Sequence, residues 1–426
     1  MPFAAFAAFA ALDDAVERHA EGAFALLEDL VAADSTVGRE QAALEVLAAE
    51  LHRLGLQVDR LPFPSGPLED PRAGVSQAVP GGPRYQVLGT TPGTGPLLVL
   101  LNGHMDVVPA DSPALWTTAP FTPDRRDGRM YGRGTGDMKG GFALGCLALR
   151  ALGEVAPDLF VRRRLGFLAV IEEECTGNGA LWSAAHQDAL AEAVVLLGPT
   201  GLDLLVGGVG VLWVDLEVRG RSTHAESAHL AANPVDLGMV VVEGLRAWCA
   251  GLVEQVPDPG LAAVTSPYNV NLGGVSAGDW HSSVPVTATF RLRIGFPRAW
   301  TADQAEQEVR AAVGRIVDAD PRFPRLPTVT ASGLRARGYV LEESHELVTA
   351  MSDAHEQAHG TRPLAYSLGS TTDARTYLND FGVPALCFGA LAHDIHGVDE
   401  SVDLASIVAG ARTLARFLLT RFGSGA

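Results

Sequence analysis

Lysine is almost missing from this chain of 426 residues: it occurs once, as Lys139, so arginine carries nearly all the positive charge. Basic residues are scarce overall, 32 against 50 Asp and Glu, and the formal net charge is -18. Contacts to nucleic-acid phosphates need clustered cations, so this balance argues against a nucleic-acid binder. Only four cysteines occur (Cys146, Cys175, Cys249 and Cys387), far apart and without a C-x-x-C pair. That excludes a disulfide framework and a cysteine metal site, and leaves four reduced, small apolar residues. No stretch reaches the roughly 18 uncharged apolar residues that a membrane span needs. The amino-terminal MPFAAFAAFAALDD is apolar but has no Arg or Lys before it. It makes a poor secretion signal and is expected to lead into the first helix of a cytoplasmic protein.

The composition, 47% hydrophobic and 19% charged, is that of an ordinary globular chain, and its length suggests two or three domains. Apolar residues at helical spacing (Val16, Ala20, Phe24, Leu27, Leu30, Val31) predict a helix over residues 12–33. A second helix is expected over 39–54, with Ser35 or Thr36 as its cap. LQVDRLPF alternates like a strand. The Pro/Gly-rich stretch 62–95 reads as loop with at most a short strand at 85–88. Three continuous apolar runs, at 97–104, 165–171 and 193–197, are the pattern of strands buried on both faces, and a helix at 141–152 lies between the first two. The fold class is therefore α/β: a mixed, largely parallel sheet with helices on both faces and its site at the carboxyl ends of the strands. After Gly207 the pattern changes to half-exposed strands (211–220, 286–296, 328–332) and helices at 234–253 and 302–317. We expect this to be an inserted α+β unit at 208–332, with residues 1–207 and 333–426 forming the other domain.

Polar residues cluster just beyond the apolar runs. His104 and Asp106 follow the first at the alternate spacing that lets a ligand and its support face the same way, although an H-x-D pair alone is equally a structural feature. Asp137 sits among five glycines (Gly132, Gly134, Gly136, Gly140 and Gly141), which allow a tight turn to bring a carboxylate into a crowded place. Glu172, Glu173 and Glu174 cap the second strand, where uncompensated like charges would be costly. His396 follows the last apolar run, 383–391. This mix of imidazole and carboxylate suits zinc or another divalent ion, with an extra Glu free as general base.

Taken together, GHMDVVP, Trp116-x-x-x-Pro120-Phe121, DGRMYGRGTGDMKGG, EEECTGNG, GRSTHAES, TTDAR and HGVDE resemble the zinc-dependent amidohydrolase and exopeptidase family that contains acetylornithine deacetylase, succinyl-diaminopimelate desuccinylase, carboxypeptidase G and aminoacylase. The resemblance runs from about residue 20 to residue 420. It implies hydrolysis of an amide bond in a small substrate, with His104 on one zinc, Asp137 bridging two, and Glu174 and His396 on the other. It further implies Glu173 as general base, Asp106 orienting His104, and His224 reaching from an inserted lid into a partner subunit's site within a homodimer. Thr372, Asp373 and Arg375 match a loop near the substrate. Cobalt or manganese are alternative metals.

Two departures stand out. The family's acidic ligand before Pro-Thr is replaced here by Gly198, so one metal instead of two is an alternative outcome, as is a degenerate homologue that binds a small ligand or does non-hydrolytic chemistry. Glu172, Asp203 or a substrate carboxylate are candidate replacements for the missing donor. In the lid, G-D-W-H-S-S-V-P at 278–285 replaces the usual Asn-containing segment, and the lid arginine aligns near Gly295, with Arg291 and Arg293 close by. His281 is expected in a loop, and His229, His355 and His359 in solvent.

Overall fold

The computed structural model describes residues 3–76, 79, 82–186 and 189–423. Its largest element is a nine-stranded sheet ordered Gln57–Phe63, Arg84–Thr90, Arg164–Val170, Leu97–His104, Val194–Leu196, Ala385–Cys387, Leu204–Gly208 and Tyr339–Val340, with Ala365–Leu368 also paired to Leu204–Gly208. Leu97–His104 runs parallel to both of its neighbours, and Val194–Leu196 runs parallel to Ala385–Cys387. The pairings at both margins include antiparallel ones. Side-chain alternation explains the apolar runs. Val99, Leu101, Phe167 and Ala169 enter one core, while Leu100, Leu168 and Val170 enter another on the opposite face. The first face is covered by helices Phe3–Ala32, Gln41–Arg53, Gly140–Val155, Glu346–His359 and Leu404–Phe422, the second by Asn178–His186 and Ala374–Phe381.

A separate four-stranded antiparallel sheet is ordered Val270–Ala277, Thr287–Phe296, Gly210–Arg219, Thr328–Ala336. It packs against helices Pro234–Gln255 and Ala302–Asp318 around its own apolar core. These helices have the starts their sequences imply. Asn233 accepts from the Val235 N–H ahead of Pro234, and Thr301 accepts from the Gln304 N–H. The last strand runs to Ala336, past the expected limit at residue 332. A third, small sheet joins Asp124–Arg126, Arg129–Tyr131, Ser401–Asp403 and Ala392–His393.

Several expectations need correction. Neither Ser35 nor Thr36 caps the second helix. It begins after Glu40, Ser35 is buried, and the Thr36 hydroxyl donates to Asp34. The strand expected at 85–88 extends over Arg84–Thr90, because pairing with two neighbours prolongs it. His355 is buried against the Thr361 carbonyl at 2.8 Å and is not solvated, while His359 is half-buried and meets the Thr413 hydroxyl at 2.9 Å.

The sole lysine is structural. Lys139 is fully buried, and its Nζ donates to the carbonyls of Leu30 and Ala33 at 2.8 and 3.0 Å, satisfying the end of the first helix. Burial lowers its pKa to about 7. The turn that carries it needs its glycines. Gly134 has φ +80°, and a Cβ on Gly141 would meet the Leu197 carbonyl oxygen at 1.9 Å.

Candidate metal centre

The site forms at the carboxyl ends of the parallel strands, where an open α/β sheet places its ligands. His104 is the last residue of Leu97–His104. Its Nδ1 lies 2.9 Å from the backbone oxygen of Asp106 and its Nε2 lies 3.0 Å from Asp137 Oδ1. A carbonyl only accepts, so Nδ1 carries the proton and Nε2 is the nitrogen turned towards a ligand. Asp137, in the turn Thr135–Lys139, points its other oxygen at His396 Nε2, 3.4 Å away, and that nitrogen is 3.1 Å from Glu174 Oε1. Asp137 thus stands between the two histidines with one oxygen towards each.

The electrostatics follow from this crowding. Burial alone would depress the His104 imidazole, yet the Asp137 hydrogen bond and the nearby carboxylates hold its pKa well above the usual value. Hydrogen bonds to Asp137 and Glu174 raise His396 to about 10. Asp137 is held below the usual carboxylate range, its burial outweighed by the hydrogen bonds from His104 and His396. Burial pushes Glu173 up to about 7 and also raises Glu174. In each pair a proton holds together groups that a divalent cation would otherwise share. The donor atoms of His104, Asp137 and Glu174 all lie within 4.8 Å of one another, which fits a metal ion.

A cavity of about 330 Å³ opens over these groups, lined by His104, Asp137, Glu173, Glu174, Gly198 and His396, with Thr372 and Asp373 on its far wall. Asp373 is 1% exposed and neither of its oxygens accepts a hydrogen bond among the described residues; the Arg375 guanidinium is 3.7 Å away. Burial and the charge of Glu173 push its pKa up to about 8. Arg375 does not line this cavity and instead ties the loop, donating to the Thr372 carbonyl. From the four-stranded sheet, Arg293 reaches the rim and donates to the Gly369 carbonyl and the Ser370 hydroxyl, both at 3.1 Å.

His224 is exposed at the start of a short 3-10 turn, and its Nδ1 accepts from the Glu226 N–H; it does not line the cavity of its own chain. His281 and His229 are exposed, as expected. Two candidate replacement donors are ruled out. Glu172, beyond the end of its strand, is ion-paired to Arg84, accepts from Thr176 and does not line the cavity. Asp203 accepts from the Leu364 N–H.

Three structural roles were not visible in the sequence. The Asp106 carboxylate accepts from the Glu173 and Glu174 N–H groups at 3.3 and 3.0 Å, fixing both glutamates, while its carbonyl orients His104. Glu400, 1% exposed, accepts from Arg133 and from the N–H groups of Gly134, Gly136 and Asp137. Arg133 also donates to the Gly397 carbonyl at 3.0 Å, tying the His396 loop to the Asp137 turn. The motifs HGVDE and DGRMYGRGTGDMKGG contain Glu400 and Arg133, but nothing in them showed that the two pair.

A mixed sheet with histidines and carboxylates gathered at the ends of its parallel strands, a free glutamate beside them and a second sheet at the rim define a metal-dependent hydrolase. The sequence profile of peptidase family M20/M25/M40 matches residues 100–420, and the chain belongs to that family. It is 31% identical over 401 residues to a succinyl-diaminopimelate desuccinylase of Methylorubrum extorquens, covering 90% of this chain and 94% of that one. Its fold is similar to that of the di-peptidase Dug1p from Saccharomyces cerevisiae (TM-score 0.80, 16% identity, 98% of this chain and 99% of that one). It is also similar to human carnosine dipeptidase 1 (TM-score 0.76, 16% identity, 98% and 99%). No helix among the described residues is long and apolar enough to cross a membrane.

Proposed function

We propose that this protein is a cytoplasmic zinc-dependent deacylase that cleaves the amide bond of a small N-acyl amine or N-acyl amino acid. The observation that carries the reading is the arrangement around Asp137: His104 on one oxygen, His396 on the other, Glu174 paired with His396, and Glu173 on the wall of the same cavity. The desuccinylase relative supports an acyl-amide substrate. His104, Asp137, Glu174 and His396 would hold zinc, which when bound polarises the scissile carbonyl and makes water acidic near neutral pH. Glu173 takes the proton from the attacking water and delivers it to the leaving amine nitrogen, a task suited to a carboxyl whose pKa is pushed up to about 7. Asp106 holds Glu173 and Glu174 by their backbones. Thr372 and Asp373 face the substrate, with Arg375 steadying their loop.

The test is amine release from a panel of N-acetyl and N-succinyl amino acids and dipeptides. Turnover of at least one class is expected, abolished by a chelator and restored by zinc; cobalt and manganese are the metals to compare. Amides that bind without release of amine, at full metal content, would favour the alternative that Gly198 raises, a ligand-binding homologue without hydrolysis.

We further propose that residues 208–332 form a lid and dimerisation domain, and that His224 of one subunit serves the cavity of the other. Its exposure, outside the lining of its own cavity, supports this. A mixture of His224→Ala and Glu173→Gln chains, each nearly inactive alone, is expected to recover about a quarter of wild-type activity after subunit exchange, because only mixed dimers carry one intact site. A mixture as inactive as its components would exclude a role in trans.

A further inference from the structure

Gly198 follows the Val194–Leu196 strand and lines the same cavity as His104, Asp137 and Glu174. Nothing in its surroundings requires a glycine. Its φ is not positive, and a Cβ built on it meets no atom within 4 Å. Nearby glycines differ: a Cβ on Gly389 would press on the Gly198 carbonyl oxygen at 2.3 Å, and one on Gly141 would meet Leu197. Close packing therefore fixes the backbone of Gly198, while the missing side chain only adds space to the cavity.

Asn102 pairs with Leu196 in parallel register, two residues before His104 and Gly198 respectively, so that space adjoins the His104 side, the poorer half of the metal centre. On the His396 side, Asp137 and Glu174 both contribute carboxylate oxygens. On the His104 side, the donor cluster among the described residues holds His104, Asp137 and the Glu174 already used opposite. No neighbouring side chain is placed to substitute. Glu172 is held by Arg84 and Thr176, Asp203 by the Leu364 N–H, and the Thr200 hydroxyl by Gly389. Asp373 lines the cavity but lies outside the donor cluster.

We propose that a carboxylate of the substrate enters over Gly198 and completes the metal shell on the His104 side. The substrate is then an acylated amine that also carries a carboxylate, and the enzyme holds its second metal firmly only when such a group is present. Charge supports the coupling. A divalent ion seated among the groups that line the cavity attracts a carboxylate placed in its own shell. Metal and carboxylate must therefore each tighten the binding of the other by the same factor. The inference rests on reading these residues as metal donors, but its test measures metal affinity and not turnover.

Chelator-treated protein is titrated with zinc by calorimetry, with and without saturating succinate as the carboxylate probe. Wild type is expected to bind one zinc tightly and a second weakly, and succinate is expected to tighten the second by at least about tenfold. Gly198→Glu, which builds in the carboxylate, is expected to bind both tightly and to ignore succinate. Gly198→Ala, which adds a Cβ without a donor, should behave as wild type. Two tight sites in the wild type that do not respond to succinate would overturn the inference, as would a Gly198→Glu variant whose second site stays weak. Either result alongside amide hydrolysis would leave the hydrolase reading standing, whereas failure to take up any zinc would remove both. The wild-type linkage decides the matter even if Gly198→Glu does not fold.

Discussion

Replacing Glu173 with glutamine is expected to lower kcat by about 10²–10⁴-fold, the range that a lost general base accounts for. The substitution keeps the volume of the side chain and the backbone N–H that Asp106 accepts, so the fold around it should persist. Glutamine cannot take a proton from water at neutral pH, and it cannot return one to the departing amine. Glu173 is outside the donor cluster of His104, Asp137 and Glu174, so zinc content should be unchanged. Steady-state kinetics together with metal analysis of the same preparation separates the two effects. A variant within about tenfold of wild type would exclude Glu173 as the base, because so small a loss is about 1.4 kcal/mol in the barrier. A variant that lost its metal would place Glu173 among the ligands instead.

The sheet was legible because its central strands are buried on both faces, which forces an unbroken apolar run such as 97–104, and because parallel strands end where polar residues can gather. The donors were legible for the same reason: His104 and Glu174 follow runs that only a buried strand explains. The direction of each member of Glu172–Glu174 was not. It depends on where the strand ends and on Arg84, which pairs with Glu172 from a distant strand. The short strands Tyr339–Val340 and Ala365–Leu368 carry too few residues for a periodic signal and exist because Leu204–Gly208 offers them a partner. The burial of His355 likewise depends on tertiary packing and on the Thr361 carbonyl, which no local pattern announces. Motif resemblance named the candidate site residues; it did not reveal that Asp106 fixes both glutamates or that Arg133 and Glu400 join the two halves of the site.

That pair carries the second large effect. Replacing Glu400 with alanine is expected to destabilise the protein by about 3–5 kcal/mol, because it strands a buried cation. Arg133 is only 2% exposed, and the N–H groups of Gly134, Gly136 and Asp137 would lose their acceptor at the same time. Those three N–H groups set the turn that presents Asp137, and Arg133 holds the His396 loop through the Gly397 carbonyl, so metal affinity should fall together with stability. Glutamine at position 400 is the sharper test. It is nearly isosteric, but its NH₂ group would face either Arg133 and the Gly134 N–H or the N–H groups of Gly136 and Asp137, donors against donors in either orientation. Glu400→Gln should therefore resemble the alanine variant and not the wild type, in both denaturant midpoint and zinc retained after dialysis. If it unfolds within about 1 kcal/mol of wild type and keeps its metal, the carboxylate contributes no more than an ordinary hydrogen bond, and the Asp137 turn must be fixed by its glycines and by the Lys139 anchor to the first helix.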